Sequence, residues 1–227
     1  MKPRICVSIL PKTTGEALKL IVQAEEAKAD LIEVRLDGLK SVQGLSDLAS
    51  HGKTPKIATN RLASLRGKFS GTEAEQKQIL LAAAKSGFDY VDIELSASSL
   101  NEFTTEASEH GAKPIVSFHD FEGALNIAEL GSVLEREIAS GADVCKIVTT
   151  AKRVEDNLTL LSFTSAACKR ANVVCFAMGE YGRVSRLLSP LFGGFFTFAA
   201  LDRGSETAPG QMAIQEMRTV YKLLGLR

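Results

Sequence analysis

Three short segments of this 227-residue chain place charge or imidazole where apolar residues are expected, and these are the groups able to do chemistry. In Leu31-Ile32-Glu33-Val34-Arg35-Leu36-Asp37 the charged residues stand at i, i+2 and i+4. In an extended chain all three share one face, while Ile32, Val34 and Leu36 take the other. That face is either the wall of a charged pocket or a structural Glu33–Arg35 ion pair. In Val144-Cys145-Lys146-Ile147-Val148 a lysine stands among apolar neighbours. Burial disfavours its charged form, and a neutral amine attacks carbonyls to give a Schiff base. A lysine that snorkels from a strand end, or one held in an ion pair, is the structural alternative. His119 closes the run Pro114-Ile115-Val116-Ser117-Phe118 and precedes Asp120. An imidazole there suits general acid/base work near neutral pH. His51 and His110 each precede a glycine and belong to helix ends or the surface. With no H-x-x-x-H spacing and no cysteine beside His119, no metal is expected.

These groups need elements to hold them. Eight short runs rich in Val, Ile and Phe begin at residues 5, 31, 56, 90, 114, 144, 173 and 195, so successive starts lie 22 to 34 residues apart. That interval accommodates one strand and one crossover helix, which predicts βα units and a parallel sheet. Thr13 to Glu16, Thr72 to Glu75 and Ser132 to Glu135 have the hydroxyl and glutamate spacing of a capping box. Ile79, Leu80, Ala83 and Ala84 form one helical face ended by Gly87, and behind Pro209 a last helix presents Met217, Val220 and Leu224. No linker or low-complexity tract divides the chain. A single α/β domain over residues 1–227 is expected, closed as a (β/α)8 barrel, with an open doubly wound sheet as the alternative. Chemistry then belongs at the carboxyl ends of the strands. There Arg186 follows the seventh run and Thr207 and Gln211 follow the eighth: a cation for a carboxylate, and groups to orient hydroxyls. Gly193-Gly194 precedes the last strand, so it is not a phosphate turn.

Composition excludes several classes of partner. Lys plus Arg and Asp plus Glu each number 27, giving no net charge, and no basic run exceeds two residues. Nucleic acid is therefore not expected. The N-terminal apolar stretch is too short for a signal peptide, and no 18 apolar residues run together. Cys6, Cys145, Cys168 and Cys175 are scattered singly and read as reduced, buried thiols. A soluble cytoplasmic protein with a small-molecule substrate and no membrane contact is expected.

The chain resembles the type I 3-dehydroquinate dehydratases along essentially its whole length. The resemblance is carried by Val7-Ser8, Glu33-Val34-Arg35-Leu36-Asp37, Arg61 after the third strand, Ser117-Phe118-His119-Asp120-Phe121, Lys146-Ile147, Met178-Gly179 with Gly182 to Arg186, and Thr207 to Gln211. It implies a barrel, usually dimeric, that uses no metal or added cofactor. It also implies that Lys146 forms an imine with the ketone of 3-dehydroquinate and that His119 transfers protons. Ser8, Glu33, Arg35, Arg61, Arg186, Thr207 and Gln211 then bind substrate, with Arg186 on its carboxylate. Two departures stand out. Many members carry a glutamate four residues after the third-strand arginine, where this chain has Leu65, and that glutamate is expected to orient the histidine. Another acid, Glu33 or one near Glu73, then serves, or His119 works unpaired. Thr207 replaces the usual serine and keeps its hydroxyl. The rival expectations are a class I aldolase or transaldolase, which also needs a barrel lysine, and a catalytically silent ligand-binding barrel.

Overall fold

The computed structural model describes residues 2–226. Eight strands alternate with eight α-helices: β1 (Ile5–Ile9), α1 (Thr14–Glu26), β2 (Leu31–Arg35), α2 (Leu45–Ser50), β3 (Lys56–Thr59), α3 (Glu73–Lys85), β4 (Tyr90–Glu94), α4 (Leu100–Glu109), β5 (Lys113–His119), α5 (Ile127–Ala139), β6 (Val144–Thr150), α6 (Asp156–Ala167), β7 (Asn172–Met178), α7 (Arg183–Leu188), β8 (Thr197–Ala200) and α8 (Ile214–Leu223). Every pairing is parallel, in the order β7-β6-β5-β4-β3-β2-β1-β8. Because β8 pairs with β1, the sheet rolls up, and among the described residues the one ladder missing is that between β7 and β8. Phe195, just ahead of β8, donates its N–H to Val173 O at 2.7 Å, and Phe176 meets Phe198 edge-on across the seam. The result is a nearly closed (β/α)8 barrel, and the doubly wound alternative is set aside.

Strand alternation decides what the barrel holds at each level. Its floor is apolar, built from side chains such as Cys6, Leu31, Ile57, Ile115, Val144 and Val174. Two residues further along each of the first six strands the same face carries Ser8, Glu33, Thr59, Asp92, Ser117 and Lys146, all buried. A further step of two brings Arg35, Arg61, Glu94 and His119 to the mouth. The opposite faces, including Val7, Ile32, Val34, Val91 and Ile147, pack under the helices in a separate core. The polar breaks in otherwise apolar runs are thus one continuous lining above an apolar floor.

Several local expectations are corrected. Thr72 caps α3 with a full box to Glu75, and Thr13 caps α1. Ser132, however, lies inside α5, whose cap is Asn126 boxed with Glu129. The asparagine accepts from the same N2 and N3 amides that a serine cap would serve. Helix α8 starts at Ile214, so Pro209 is in the preceding loop, and its buried face is Ile214, Met217 and Tyr221, leaving Leu224 exposed. Cys168 is only half-buried, while the other three thiols are buried. His51 and His110 stand at the C-caps of α2 and α4.

Candidate active site

A cavity of about 150 Å³ opens at the carboxyl ends of the strands. Glu33, Arg35, Arg61, His119, Lys146, Arg186, Thr207 and Gln211 all line it. Ser8 alone of the expected residues lies behind the wall, where its hydroxyl donates to Glu33 and accepts from Thr207 at 2.8 Å.

Lys146 is 5% exposed, and its Nζ lies 2.7 Å from Asp92 Oδ2, 3.7 Å from Glu33 Oε1 and 4.4 Å from the centroid of Phe198. The amine is buried, as its apolar neighbours predict, but it is paired. Asp92 is also held by Arg61 at 2.7 Å and by the Ser117 hydroxyl at 2.8 Å. Burial alone would raise the Asp92 pKa, yet Lys146 and Arg61 outweigh it and hold the carboxyl well below its ordinary value. Arg61 reaches Glu94 at 2.7 Å and Ser117 at 3.0 Å, and Glu94 is fixed from behind by Gln76 at 2.9 Å. Burial works against the Arg61 charge, but Asp92 and Glu94 more than compensate and raise its pKa.

The segment Glu33 to Asp37 departs from the simplest pairing. Arg35 is bidentate on Asp37, at 2.8 and 2.7 Å, and not on Glu33. Glu33 instead takes the hydroxyls of Ser8 and of Thr59, the latter at 2.8 Å. A carboxylate two residues after the arginine reaches its guanidinium because the chain turns into a short 3-10 helix at Leu36. Nor does Glu33 or Glu73 partner His119. Glu73 is on the outside, bonded to Ser98 and Lys77. His119 stacks on Phe121, with centroids 5.9 Å apart and planes 12° from parallel. Burial, then the positive charges of Arg61 and Lys146, push its pKa well below the usual histidine value, so it is neutral at pH 7.

Arg186, also in the cavity lining, is 1% exposed, and among the described residues no carboxylate lies within ion-pair distance of it. Its guanidinium lies 4.2 Å above the Phe176 ring, one nitrogen touches Pro209 O at 3.4 Å, and Nε has no partner. Burial pushes its pKa down to about 9, which leaves it charged at neutral pH. Thr207 N donates to Gln211 Oε1 at 2.7 Å, and Gln211 Nε2 donates to Thr207 Oγ1 at 3.1 Å, closing the turn between them. Gly210 permits this docking: at φ +80° a Cβ there would lie 2.3 Å from Gly179 O.

Asp92 and Glu94 were missed from sequence, although they alternate with Val91 and Ile93 as Glu33 and Arg35 alternate with Val34. The same i, i+2 signal marks both strands. Among the described residues no cluster of His, Cys, Asp and Glu has the geometry to hold a metal ion.

A parallel barrel whose charged groups converge on one cavity at its carboxyl mouth has the architecture of a barrel enzyme with a small-molecule site. The family model described as type I 3-dehydroquinase matches residues 5–227. A 3-dehydroquinate dehydratase of Coxiella burnetii is 35% identical over 97% of this chain and 93% of its own. The crystal structure of 3-dehydroquinate dehydratase from Geobacillus kaustophilus superposes with a TM-score of 0.89 at 27% identity, over 99% of this chain and 92% of that one. A type I 3-dehydroquinate dehydratase from Clostridium difficile, described with covalently modified comenic acid, also gives 0.89, at 29% identity over 98% of this chain and 92% of that one. The chain belongs to the type I 3-dehydroquinase family, a family of hydro-lyases.

Proposed function

We propose that residues 1–227 act as one catalytic domain that dehydrates 3-dehydroquinate to 3-dehydroshikimate, a step of the shikimate pathway, through an imine on Lys146. The observation that carries this is the pair of groups in one small cavity: a buried amine on β6 and a buried guanidinium with no carboxylate partner among the described residues. A substrate carboxylate on Arg186 supplies the anion that this cation lacks and sets the ring's ketone toward Lys146.

Lys146 loses a proton, and His119, held neutral, is the base in the cavity available to take it. The amine adds to the ketone carbon, and the carbinolamine hydroxyl takes the proton back from His119 and leaves as water, which gives a protonated imine and returns His119 to its neutral form. The imine draws electron density from the adjacent C–H bond, and His119 removes that proton. The enamine electrons then expel the β-hydroxyl, which takes the proton back from His119 and departs as water. Hydrolysis of the product imine releases 3-dehydroshikimate and restores the amine. Asp92 holds the charged amine in place, and Glu33, Arg35, Arg61, Thr207 and Gln211 offer fixed polar groups to the substrate hydroxyls, with Ser8 acting through Glu33 and Thr207.

Borohydride added with 3-dehydroquinate tests this directly. A reduced adduct on Lys146 is expected by mass spectrometry, and Lys146→Ala is expected to abolish it and to lower kcat by roughly six orders of magnitude, the scale on which loss of a covalent nucleophile acts. A folded wild-type chain that turns over substrate without a trappable adduct defeats the mechanism.

A homodimer is supported by the family resemblance and by an exposed apolar sector formed by Val154 and Leu158 near the start of α6, with Tyr181, Val184 and Phe192 beside them. Sedimentation should give twice the chain mass, and Leu158→Glu should shift it toward the monomer. No helix among the described residues is long and apolar enough to cross a membrane. The four unpaired thiols support a cytoplasmic location.

A further inference from the structure

We propose that Phe121 and Arg66 are positioning residues for His119: the Phe121 ring fixes the plane of the imidazole, and Arg66 fixes Phe121, in the absence of a carboxylate partner. This rests on the assignment of proton transfer to His119 made above. A histidine that must direct one ring nitrogen at a single C–H bond needs its second side-chain torsion restrained, because that torsion is intrinsically broad. In this molecule the near-parallel Phe121 ring, inclined by 12°, is the aromatic contact the imidazole makes. Arg66 Cζ lies 4.3 Å from the Phe121 centroid, and all three side chains border the same cavity.

Both supports are themselves fixed to the barrel. Asp120 N donates to Val148 O at 2.9 Å, and Asp120 Oδ1 accepts from Glu122 N at 2.7 Å and Gly123 N at 3.1 Å, which sets the turn that carries Phe121. The loop bearing Arg66 is tied to the end of β3 by Phe69 N to Arg61 O at 3.0 Å and Gly67 N to Leu62 O at 2.9 Å. Its approach is close enough that a Cβ on Gly67 would lie 2.0 Å from Arg61 O. Arg66 itself has φ +60°, a left-handed conformation that glycine adopts without steric cost. Its side chain lies over Phe121, with one guanidinium nitrogen 4.0 Å from Glu122 Oε1.

Steady-state kinetics on substitution variants tests the proposal. Phe121→Leu is expected to lower kcat by about five- to ten-fold, the scale of one aromatic pair, and Arg66→Gly by about two- to five-fold, the scale of an exposed cation–π contact. KM should move by less than about two-fold in both, since ring orientation acts on the chemical step. Phe121→Tyr and Arg66→Lys, which keep a ring and a cation, should recover most of kcat. Arg66→Gly also relieves the backbone, so a raised melting temperature beside a lowered kcat separates positioning from folding. Leu65→Glu, which brings a carboxylate to the same wall, should shrink the penalty of Phe121→Leu. Unchanged kcat with raised KM, or no recovery in the conservative variants, overturns the proposal. His119→Ala is the reference: if it leaves kcat intact, the role of His119 itself fails; if it cripples kcat while Phe121→Leu and Arg66→Gly do not, only the stack fails.

Discussion

On the β2–β6 side of the cavity Arg35, Arg61, Asp92, Glu94 and Lys146 have each found an opposite charge within 2.8 Å, whereas Arg186 on α7 has one carbonyl at 3.4 Å and a ring beneath it. The contrast separates two uses of buried charge. The paired side is assembled by folding, so its geometry is present before substrate arrives, and its energy is nearly balanced between desolvation and attraction. The unpaired side carries a desolvation cost that one carbonyl and a ring offset in part and a ligand anion would offset further. Removing a charge from each side should therefore have opposite consequences for stability.

Asp92→Asn should give the larger effect. It leaves Lys146 and Arg61 facing one another with one carboxylate fewer, and breaking a buried pair in this way costs about 3–5 kcal/mol. Urea unfolding measures it. An unchanged midpoint would show that the network does not hold the barrel mouth together. Arg186→Met should leave the unfolding midpoint unchanged or raised, because it deletes a desolvated cation and keeps a stem to cover Phe176. Its loss appears in binding: KM should rise by about two orders of magnitude, consistent with roughly 2–5 kcal/mol for a buried charge pair. A destabilised variant with ordinary KM would reverse the assignment of the two sides.

How much of this was legible in the sequence follows from the same division. The paired side lies on strands, where alternation is a strict period of two, so Glu33, Arg35 and Lys146 announce themselves against apolar neighbours. Asp92 and Glu94 carried the same signal in β4. What the sequence did not reveal is who pairs with whom: Lys146 with Asp92 joins residues 54 positions apart, and the arginine nearest Glu33 chose Asp37. Pairing depends on barrel register and on the short 3-10 turn after β2, neither of which a local pattern encodes. Arg186 was placed by its position after β7, but its lack of a partner is a property of the assembled cavity. The cap of α5 was misplaced because Ser132 and Glu135 reproduce the capping spacing within a helix that Asn126 had already begun.

The neutral histidine sharpens the comparison through pH. Its neighbours Arg61, Lys146 and Arg35 oppose its protonation and Asp92 favours it, with burial and the cations prevailing. The rate should stay level through neutral pH and fall only well below the ordinary histidine value of about 6.5. Stability follows with a definite sign. A histidine with a depressed folded pKa binds its proton first in the unfolded chain, so stability is full above about 6.5 and is lost as pH falls from there toward the folded value. Asp92, also depressed, adds its own loss only as pH drops below about 3.9. A rate that already falls between pH 7 and 6.5 would place a charged partner at His119 that the structure does not contain.

The smallest expected change comes from supplying that partner. Leu65 borders both the main cavity and an adjoining one of about 240 Å³, which it shares with His119, Glu94, Ser96 and Arg136, so a longer side chain has room. Leu65→Glu brings an anion beside the imidazole and should raise its pKa by about one unit, moving the acid limb of kcat upward by the same amount. The maximal rate should change little, because the stack still orients the ring. The pH–rate profile reads this out, and His119→Ala in the same background should erase the shift. A limb that does not move would mean that a carboxylate at residue 65 does not reach the imidazole, and that the cations of the paired side alone set the histidine's proton affinity.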